Sequence, residues 1–334
     1  DALDAGDSVT DTYAFAASDL TTQTVTITIA GANDAPVFGD GSTASASVEE
    51  GATTVATYAA TDVDTDAVLT YSVGGTDSAL FSVVSTTGAL SFSTAPDYDS
   101  GTACAAGNSC VVVLTVSDTA DTDTITVTIT LTDANDNAPI FTDGDTASAS
   151  VEEGATTVAT YAATDADGSS AHNTVTYTNT GGADTALFAV ASSTGALTFS
   201  TAPDYDSGSA CAAGNSCVVI LTATSGSLTD TITVTVAITD ANDQAPTYSG
   251  GDVTPSVLEG TTAVDLFTVV DTDSGDVNAC TLGGADSASF GCAVSGDSIT
   301  ITFNTAPDYE NPGSVAGTNV YALTATISDG VNTG

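Results

Sequence analysis

Apolar and polar residues alternate with a period of two along much of the chain, as in Gln23-Thr-Val-Thr-Ile-Thr-Ile29 and Asp123-Thr-Ile-Thr-Val-Thr-Ile-Thr-Leu131. This pattern predicts β-strands with one face buried and the other turned to water. Threonine at the outward positions suits an exposed β surface. No segment carries a helical period, and apolar runs such as Cys110-Val-Val-Val-Leu114 are far too short to span a membrane. Each Thr-rich run leads into a near-copy of one acidic phrase: Gly31-Ala-Asn-Asp-Ala-Pro36, Asp133-Ala-Asn-Asp-Asn-Ala-Pro139 and Asp240-Ala-Asn-Asp-Gln-Ala-Pro246. The closing proline cannot continue a ladder, so each phrase marks the end of a module.

The copies agree beyond these phrases. Ser45 to Tyr58 returns as Ser148 to Tyr161, and Ser93 to Ser100 returns as Ser200 to Ser207. A more diverged third copy keeps Val257-Leu-Glu-Gly260 and Thr305-Ala-Pro-Asp-Tyr-Glu310. The step from Asn135 to Asn242 is 107 residues, the size of one β-sandwich. The expected architecture is therefore all-β: tandem Greek-key β-sandwiches in a linear array in which each unit touches chiefly its neighbours. The expected boundaries are closing strands over 1–36, modules over 37–138 and 139–245, and a third module over 246–334.

Composition narrows the function. The 334 residues contain no Lys, Arg, Met or Trp, while 43 Asp and Glu give a formal charge of −43. No ion pair with Lys or Arg can form, so bound cations, solvent ions or protonation must neutralise the carboxylates. Nucleic acid is excluded as a partner because phosphate binding needs positive charge. Disorder is the rival expectation for so acidic a chain, but 42% hydrophobic content in period-two runs argues for ordered strands. Six cysteines fall in local pairs: Cys104 with Cys110, Cys211 with Cys217, and most simply Cys280 with Cys292. Even counts at repeated spacing favour disulfides and an oxidising compartment. A metal site is the alternative, although two thiols per module lack the further ligands zinc takes.

At the linkers, Asp133-Ala-Asn-Asp-Asn-Ala-Pro-Ile-Phe141 closely resembles the cadherin inter-repeat motif, and other cadherin signatures occur in the expected order. An early acid lies in Val48-Glu-Glu-Gly51. Paired acids lie in Thr61-Asp-Val-Asp64, Thr164-Asp-Ala-Asp167 and Val270-Asp-Thr-Asp273, and late pairs in Asp97-Tyr-Asp99, Asp204-Tyr-Asp206 and Asp308-Tyr-Glu310. The first 38 residues look more like the closing strands of a VCBS-type or cadherin-like adhesin repeat. The resemblance implies cadherin-type (Ig-like) sandwiches with calcium between successive repeats, two to three ions per complete junction, and calcium chemistry suits carboxylate, amide and backbone oxygens together.

Carried onto this chain, the resemblance implies three ligand sets. The first complete junction takes Glu50, Asp97, Asp99, Asp133, Asn135, Asp136 and Asn137, with Asp165 and Asp167 from the following repeat. The next takes Glu153, Asp204, Asp206, Asp240, Asn242, Asp243, Gln244, Asp271 and Asp273, with Asp329 at the end of a later strand. The junction near Asp34 has only Asn33 and Asp34 from the preceding piece, joined by Asp62, Asp64 and Asp118, and is expected to be poorer. Asp99 and Asp206 stand where the family usually has Glu. At the position of Asp118 and Asp329 the middle repeat reads Thr222-Ala-Thr-Ser-Gly226, which removes one ligand from the first complete junction.

The implied function is that of an extracellular, calcium-rigidified structural or adhesive protein, a segment of an adhesin stalk or a filament subunit. A carbohydrate- or protein-binding module on the cell surface is the alternative. Catalysis is not expected, since the one histidine, His172, sits in an insertion and the paired acids recur in every module. Outward Ser and Thr are candidate acceptors for O-linked glycans. The third module stops short of a closing Thr-rich strand, whereas Thr24-Val-Thr-Ile-Thr-Ile29 is a closing strand without most of a sandwich. A window on a longer repetitive chain is the favoured expectation, because Asp11-Thr-Tyr-Ala-Phe-Ala16 resembles a penultimate strand that a donor does not need. Self-association by strand donation is the alternative.

Overall fold

The computed structural model describes residues 3–273 and 279–331, and the alternating runs in it are strands. Two lead the chain, β1 (Ser8–Ala16) and β2 (Thr22–Ala30), paired as an antiparallel hairpin. A nine-strand set follows: β3 (Val37–Phe38), β4 (Thr43–Glu49), β5 (Thr54–Thr57), β6 (Ala60–Thr61), β7 (Thr70–Gly74), β8 (Phe81–Val83), β9 (Ala89–Phe92), β10 (Ser109–Ser117) and β11 (Thr122–Thr132). The set recurs as β12 (Ile140–Phe141), β13 (Thr146–Glu152), β14 (Thr157–Thr160), β15 (Ala163–Thr164), β16 (Thr176–Gly181), β17 (Phe188–Val190), β18 (Ala196–Phe199), β19 (Ser216–Ser225) and β20 (Leu228–Thr239). A third set comprises β21 (Thr247–Ser249), β22 (Ala263–Val270), β23 (Ala279–Gly283), β24 (Phe290–Ser295), β25 (Ser298–Phe303) and β26 (Thr324–Ser328).

Sheet order repeats with the sequence. The first set forms a four-stranded sheet β4-β11-β10-β7, a three-stranded sheet β5-β9-β8 and the pair β3-β6; the second forms β13-β20-β19-β16, β14-β18-β17 and β12-β15. β11 and β10 are antiparallel, and β4 joins the outer edge of β11 in parallel, from Thr43 opposite Thr126 to Glu49 opposite Thr132. Several chain neighbours, such as β4 and β5 or β9 and β10, thus fall in different sheets, as in a Greek-key sandwich. In the third set the sheets are β21-β22-β25-β24 and β23-β26. Among the described residues nothing there corresponds to β11, and residues 254–258, the counterpart of β4, form no strand.

By density of contacts the chain divides into two compact units. One holds residues 1–140, 164–175 and 224–230; the other holds 141–163, 176–223 and 231–334. In the first, Val112, Leu114 and Val116 on β10 and Ile125, Val127 and Ile129 on β11 are fully buried, every second residue of each strand. The second buries Val219, Leu221, Val234 and Val236 in the same alternation, and separately Ile299 and Ile327. A close aromatic pair recurs: Phe81 with Phe92 at 4.2 Å between ring centroids, Phe188 with Phe199 at 4.4 Å, and Phe290 with Phe303 at 4.3 Å. No helix among the described residues is long and apolar enough to cross a membrane.

The cysteines form the disulfides Cys104–Cys110, Cys211–Cys217 and Cys280–Cys292, with Cα separations of 5.1, 5.0 and 6.1 Å. Beside the first two sits a device that the sequence reading missed. The buried Asp77 carboxylate accepts the amides of Ala105 (2.8 Å) and Val111 (2.7 Å), straddling the disulfide loop. Asp184 accepts those of Ala212 (2.6 Å) and Val218 (2.8 Å) in the same way. Asp286 holds Ala322 and Val315 where the third set has no such disulfide, and these amides draw its carboxyl below the ordinary range. The signal was present as Gly74-Gly-Thr-Asp77, Gly181-Gly-Ala-Asp184 and Gly283-Gly-Ala-Asp286. These acids satisfy buried backbone donors rather than gather at the linkers.

Candidate metal centres

Near the first acidic phrase, the Asp34 amide donates to Asp64 Oδ2 (2.9 Å), whose other oxygen accepts the Ala5 amide (2.9 Å). The Asp64 amide donates to Asp62 Oδ1 (2.9 Å). Asn33 Nδ2 donates to Asp118 Oδ2 and Asp121 Oδ2, each at 2.9 Å. The structure thus brings Asn33 to Asp118 and Asp34 to Asp64, and adds Asp121, which the sequence reading did not single out. The Asp121 amide, helped by Asn33, lowers the Asp118 carboxyl. Among the described residues, no three acids here converge as tightly as at the later phrases.

At the second phrase the acids close up. Glu50, in the turn that follows β4, is buried and accepts the amides of Tyr98 (2.6 Å) and Ala134 (2.9 Å), which fixes both its oxygens between the late acid pair and the linker. Oxygens of Glu50, Asp97 and Asp99 lie within 4.8 Å of one another, as do those of Asp99, Asp133 and Asp167. Asp99 therefore belongs to both groups. The Gly168 amide donates to Asp99 Oδ1 at 2.6 Å. A side chain at Gly168 would stand 2.9 Å from the Tyr98 ring, so the approach needs glycine. The Asp167 amide donates to Asp165 Oδ1 (3.0 Å). Asn137 Nδ2 donates to Asp99 (2.6 Å), Asp136 (3.0 Å) and Asp167 (3.0 Å), a neutral donor spread over three carboxylates.

Several oxygens here are buried and accept no hydrogen bond: Asp133 Oδ1, Asn135 Oδ1, Asp165 Oδ2 and Asp167 Oδ2. Such groups carry the full cost of desolvation. Burial, reinforced by the charges of Glu50, Asp133 and Asp167, pushes the Asp99 carboxyl up to about 6 against the pull of Gly168. Burial likewise opposes ionisation of Asp133, but the Ser169 hydroxyl and amide, the Gly168 amide and His172 outweigh it and lower the carboxyl. His172 Nδ1 stands 3.2 Å from Asp133 Oδ2, so the insertion carrying the one histidine folds onto the linker acids. Where Asp118 has a counterpart in the second set stands Ser225, buried and bonded through its hydroxyl to the His172 carbonyl. The adjoining Gly226 lies against Asn135, and a side chain there would collide with the Asn135 amide at 2.2 Å.

The third phrase repeats the arrangement within the other unit. Glu153 accepts the amides of Tyr205 (2.6 Å) and Ala241 (3.0 Å). Glu153, Asp204 and Asp206 converge within 4.8 Å, and so do Asp206, Asp243 and Asp273. The Gln244 amide donates to Asp273 (2.8 Å), its side chain to Asp243 (2.7 Å), and the Asp273 amide to Asp271 (3.3 Å). Asp206 Oδ2 and Asp271 Oδ2 are buried without a hydrogen bond. Burial and the charges of Glu153, Asp273, Asp240 and Asp243 push the Asp206 carboxyl up to about 6. Asp240 and Asn242 lie in the linker itself, and Asp329 is buried after β26 with its carboxylate accepting the Val331 amide (2.7 Å). An exposed third group, Glu259, Asp308 and Glu310, also converges; the sequence reading had noted these positions without assigning them as ligands.

A divalent cation fits this donor set. Hard oxygen donors converge, several with buried lone pairs that no hydrogen bond uses, and no Lys or Arg exists to balance them. No family profile matches the sequence, and no curated protein is similar to it. Solved structures do match. Extracellular cadherin domains 1–4 of protocadherin gamma B7 superpose with a TM-score of 0.65 at 23% identity, over 93% of this chain and 76% of that one. Domains EC1–4 of PcdhgB3 give 0.71 at 22%, over 99% and 81%, and mouse cadherin-23 EC22–24 gives 0.61 at 22%, over 89% and 94%. At this identity the likeness speaks for architecture alone: the chain has the tandem β-sandwich fold of cadherin ectodomains.

Proposed function

We propose that this chain is an extracellular structural or adhesive repeat protein whose junctions are set by calcium, a segment of a surface stalk or a filament subunit. The convergence of Glu50, Asp97, Asp99, Asp133 and Asp167 in one site, repeated as Glu153, Asp204, Asp206, Asp243 and Asp273, carries the reading. Modules over 37–138, 139–245 and 246–334, preceded by strands over 1–36, are the units it joins. With Asn135, Asp136, Asn137 and Asp165 the first set offers enough oxygens for about two to three ions at six to eight ligands each, some shared. Asn242, Gln244, Asp240 and Asp271 complete the second. Asn33, Asp34, Asp62, Asp64 and Asp118 form the weaker set.

Calcium supplies the positive charge that the chain lacks. Glu50 and Glu153, clamped by two amides each, hold their oxygens in place beforehand, and Asp99 and Asp206 connect the acids before the linker with those after it. Without cations the same carboxylates repel, so the junctions become hinges. Three disulfides and the fold of cadherin ectodomains support an extracellular setting. Solution scattering tests the reading: chelation is expected to shorten and broaden the distribution of intramolecular distances, and identical curves with calcium and with chelator would contradict it.

A further inference from the structure

The second copy of the repeated sequence departs from the first at two places that meet in space. Tyr71 follows Asp64 by seven positions, whereas its counterpart Tyr177 follows Asp167 by ten, so the loop over 168–174 is the longer one. At the other place Asp118 gives way to Ser225. In the first copy Asp118 accepts the Asn33 side chain directly (2.9 Å). In the second, the buried Ser225 donates its hydroxyl to the His172 carbonyl within the longer loop, and Gly226 lies against Asn135, the counterpart of Asn33. The lost acid and the added loop are thus parts of one arrangement, and residues 97–137, 164–175 and 224–230 all belong to one compact unit.

The loop closes on itself and turns its remaining donors onto the linker acids. The amides of His172 (3.0 Å) and Asn173 (2.9 Å) donate to the Ser169 carbonyl, and the Thr174 hydroxyl donates to the Ser170 carbonyl (3.0 Å). Two successive amides point away from this turn: Gly168 donates to Asp99 Oδ1 (2.6 Å) and Ser169 to Asp133 Oδ2 (2.8 Å). His172 Nδ1 stands 3.2 Å from the same Asp133 oxygen, a bond made by the tautomer that carries its proton there. Consecutive amides make a seat for anions, and bonds to ionised oxygens are about twice as strong as neutral ones. One loop therefore holds a carboxylate from before the linker and another within it. The first phrase has Gly31 in place of Asp133, so this pairing has no equivalent there.

We propose that residues 168–174 form a peptide latch that stands in for a cation at this linker, keeping Asp99 and Asp133 docked on the loop when calcium is withdrawn. At the third phrase Asp206, the counterpart of Asp99, has Oδ2 buried without a hydrogen bond, so that linker depends on metal for what the latch supplies here. The two linkers differ in consequence: as calcium falls, 240–244 loosens first and 133–137 holds. This order of opening rests on the calcium reading above, whereas the hydrogen bonds of the latch need no metal.

Hydrogen exchange of the full chain, read on peptic fragments in saturating calcium and in chelator, tests the latch. In chelator, 133–137 and 168–172 are expected to exchange within about threefold of their calcium-loaded rates, while 240–244 exchanges at least about 10-fold faster. His172→Ala and Ser225→Ala are expected to speed exchange at 168–172 by about 10-fold in chelator and by less in calcium. His172→Asn, whose side-chain amide donates in place of Nδ1, and Ser225→Thr, which keeps the hydroxyl, are expected to restore protection. Amides of β10 and β11 serve as the control for folding. Equal acceleration of both linkers in chelator, or unchanged exchange at 168–172 in both alanine variants, would overturn the latch. Exchange indifferent to calcium at both linkers would instead refute the calcium reading, and loss in His172→Ala with recovery in His172→Asn would still support the latch.

Discussion

Replacing Asp99 by Asn should stabilise the calcium-free protein and destabilise the calcium-loaded one. Asp99 lies in two groups whose oxygens converge within 4.8 Å, so it faces Glu50, Asp97, Asp133 and Asp167. At 4.8 Å two unit charges repel by about 3.5 kcal/mol at an effective dielectric of 20 and by about 0.9 kcal/mol in water. Asp99 is partly exposed, and the lower figure applies, giving about 3.5 kcal/mol over four neighbours before losses. The amide that replaces the carboxylate forfeits the bond from the Asn137 side chain, at about 1 kcal/mol, and the net relief is about 2.5 kcal/mol. Thermal unfolding in chelator at pH 7.5 and low salt should therefore shift upward by about 5–10 °C. With calcium present the sign inverts, because an oxygen shared between two groups is lost. A tenfold weaker site forfeits about 1.4 kcal/mol of linked stability per ion at saturating calcium. A shift of the same sign in both conditions would refute the cation-binding role of Asp99.

Further expectations follow from the same geometry. Asp99 and Asp206 are raised to about 6 in the cation-free fold from an ordinary value near 3.8, so the folded state holds protons more tightly than the unfolded one. The stability from this protonation is fully present below about 3.8 and is lost as pH rises through 6; chelated protein should melt higher at pH 4.5 than at pH 7.5, and apparent calcium affinity should fall below pH 6, as titration calorimetry can read. Asp77→Ala strands two buried amide donors, Ala105 and Val111, and should cost about 3–5 kcal/mol in denaturant unfolding; a cost under 1 kcal/mol would contradict the clamp. Ile129→Ala in the core should cost about 2–5 kcal/mol, whereas Ile27→Ala, at 48% exposure, should leave the stability of the isolated chain nearly unchanged.

The strands were legible where Thr and aliphatic residues alternate, and burial in β11 follows that alternation, whereas β10 buries every second residue although its sequence includes the continuous apolar run Cys110-Val-Val-Val-Leu114. The gathering of the site was legible only in outline. Acids at fixed places in each copy suggested which residues meet, but Asp99 reaching the Gly168 amide across 69 positions depends on tertiary packing. His172 was read as a loop residue in an insertion, and so it is, yet the insertion turns back onto Asp133. Asp77 and Asp184 escaped notice because an aspartate in a Gly-Gly-x-Asp turn looks like any solvated turn acid until the amides it accepts are seen. The missing acid opposite Asn135 was visible as Ser225, whereas the use of its hydroxyl on a carbonyl was not.

Counting bound calcium tests the central claim most directly. The purified chain is dialysed to equilibrium against buffered micromolar calcium and its metal content measured, alongside Glu50→Gln and Glu153→Gln. Retention of about two to three ions per complete junction, with each variant losing ions from its own junction alone, is the expected result. A chain that retains no calcium, or retains as much after both substitutions, would contradict it.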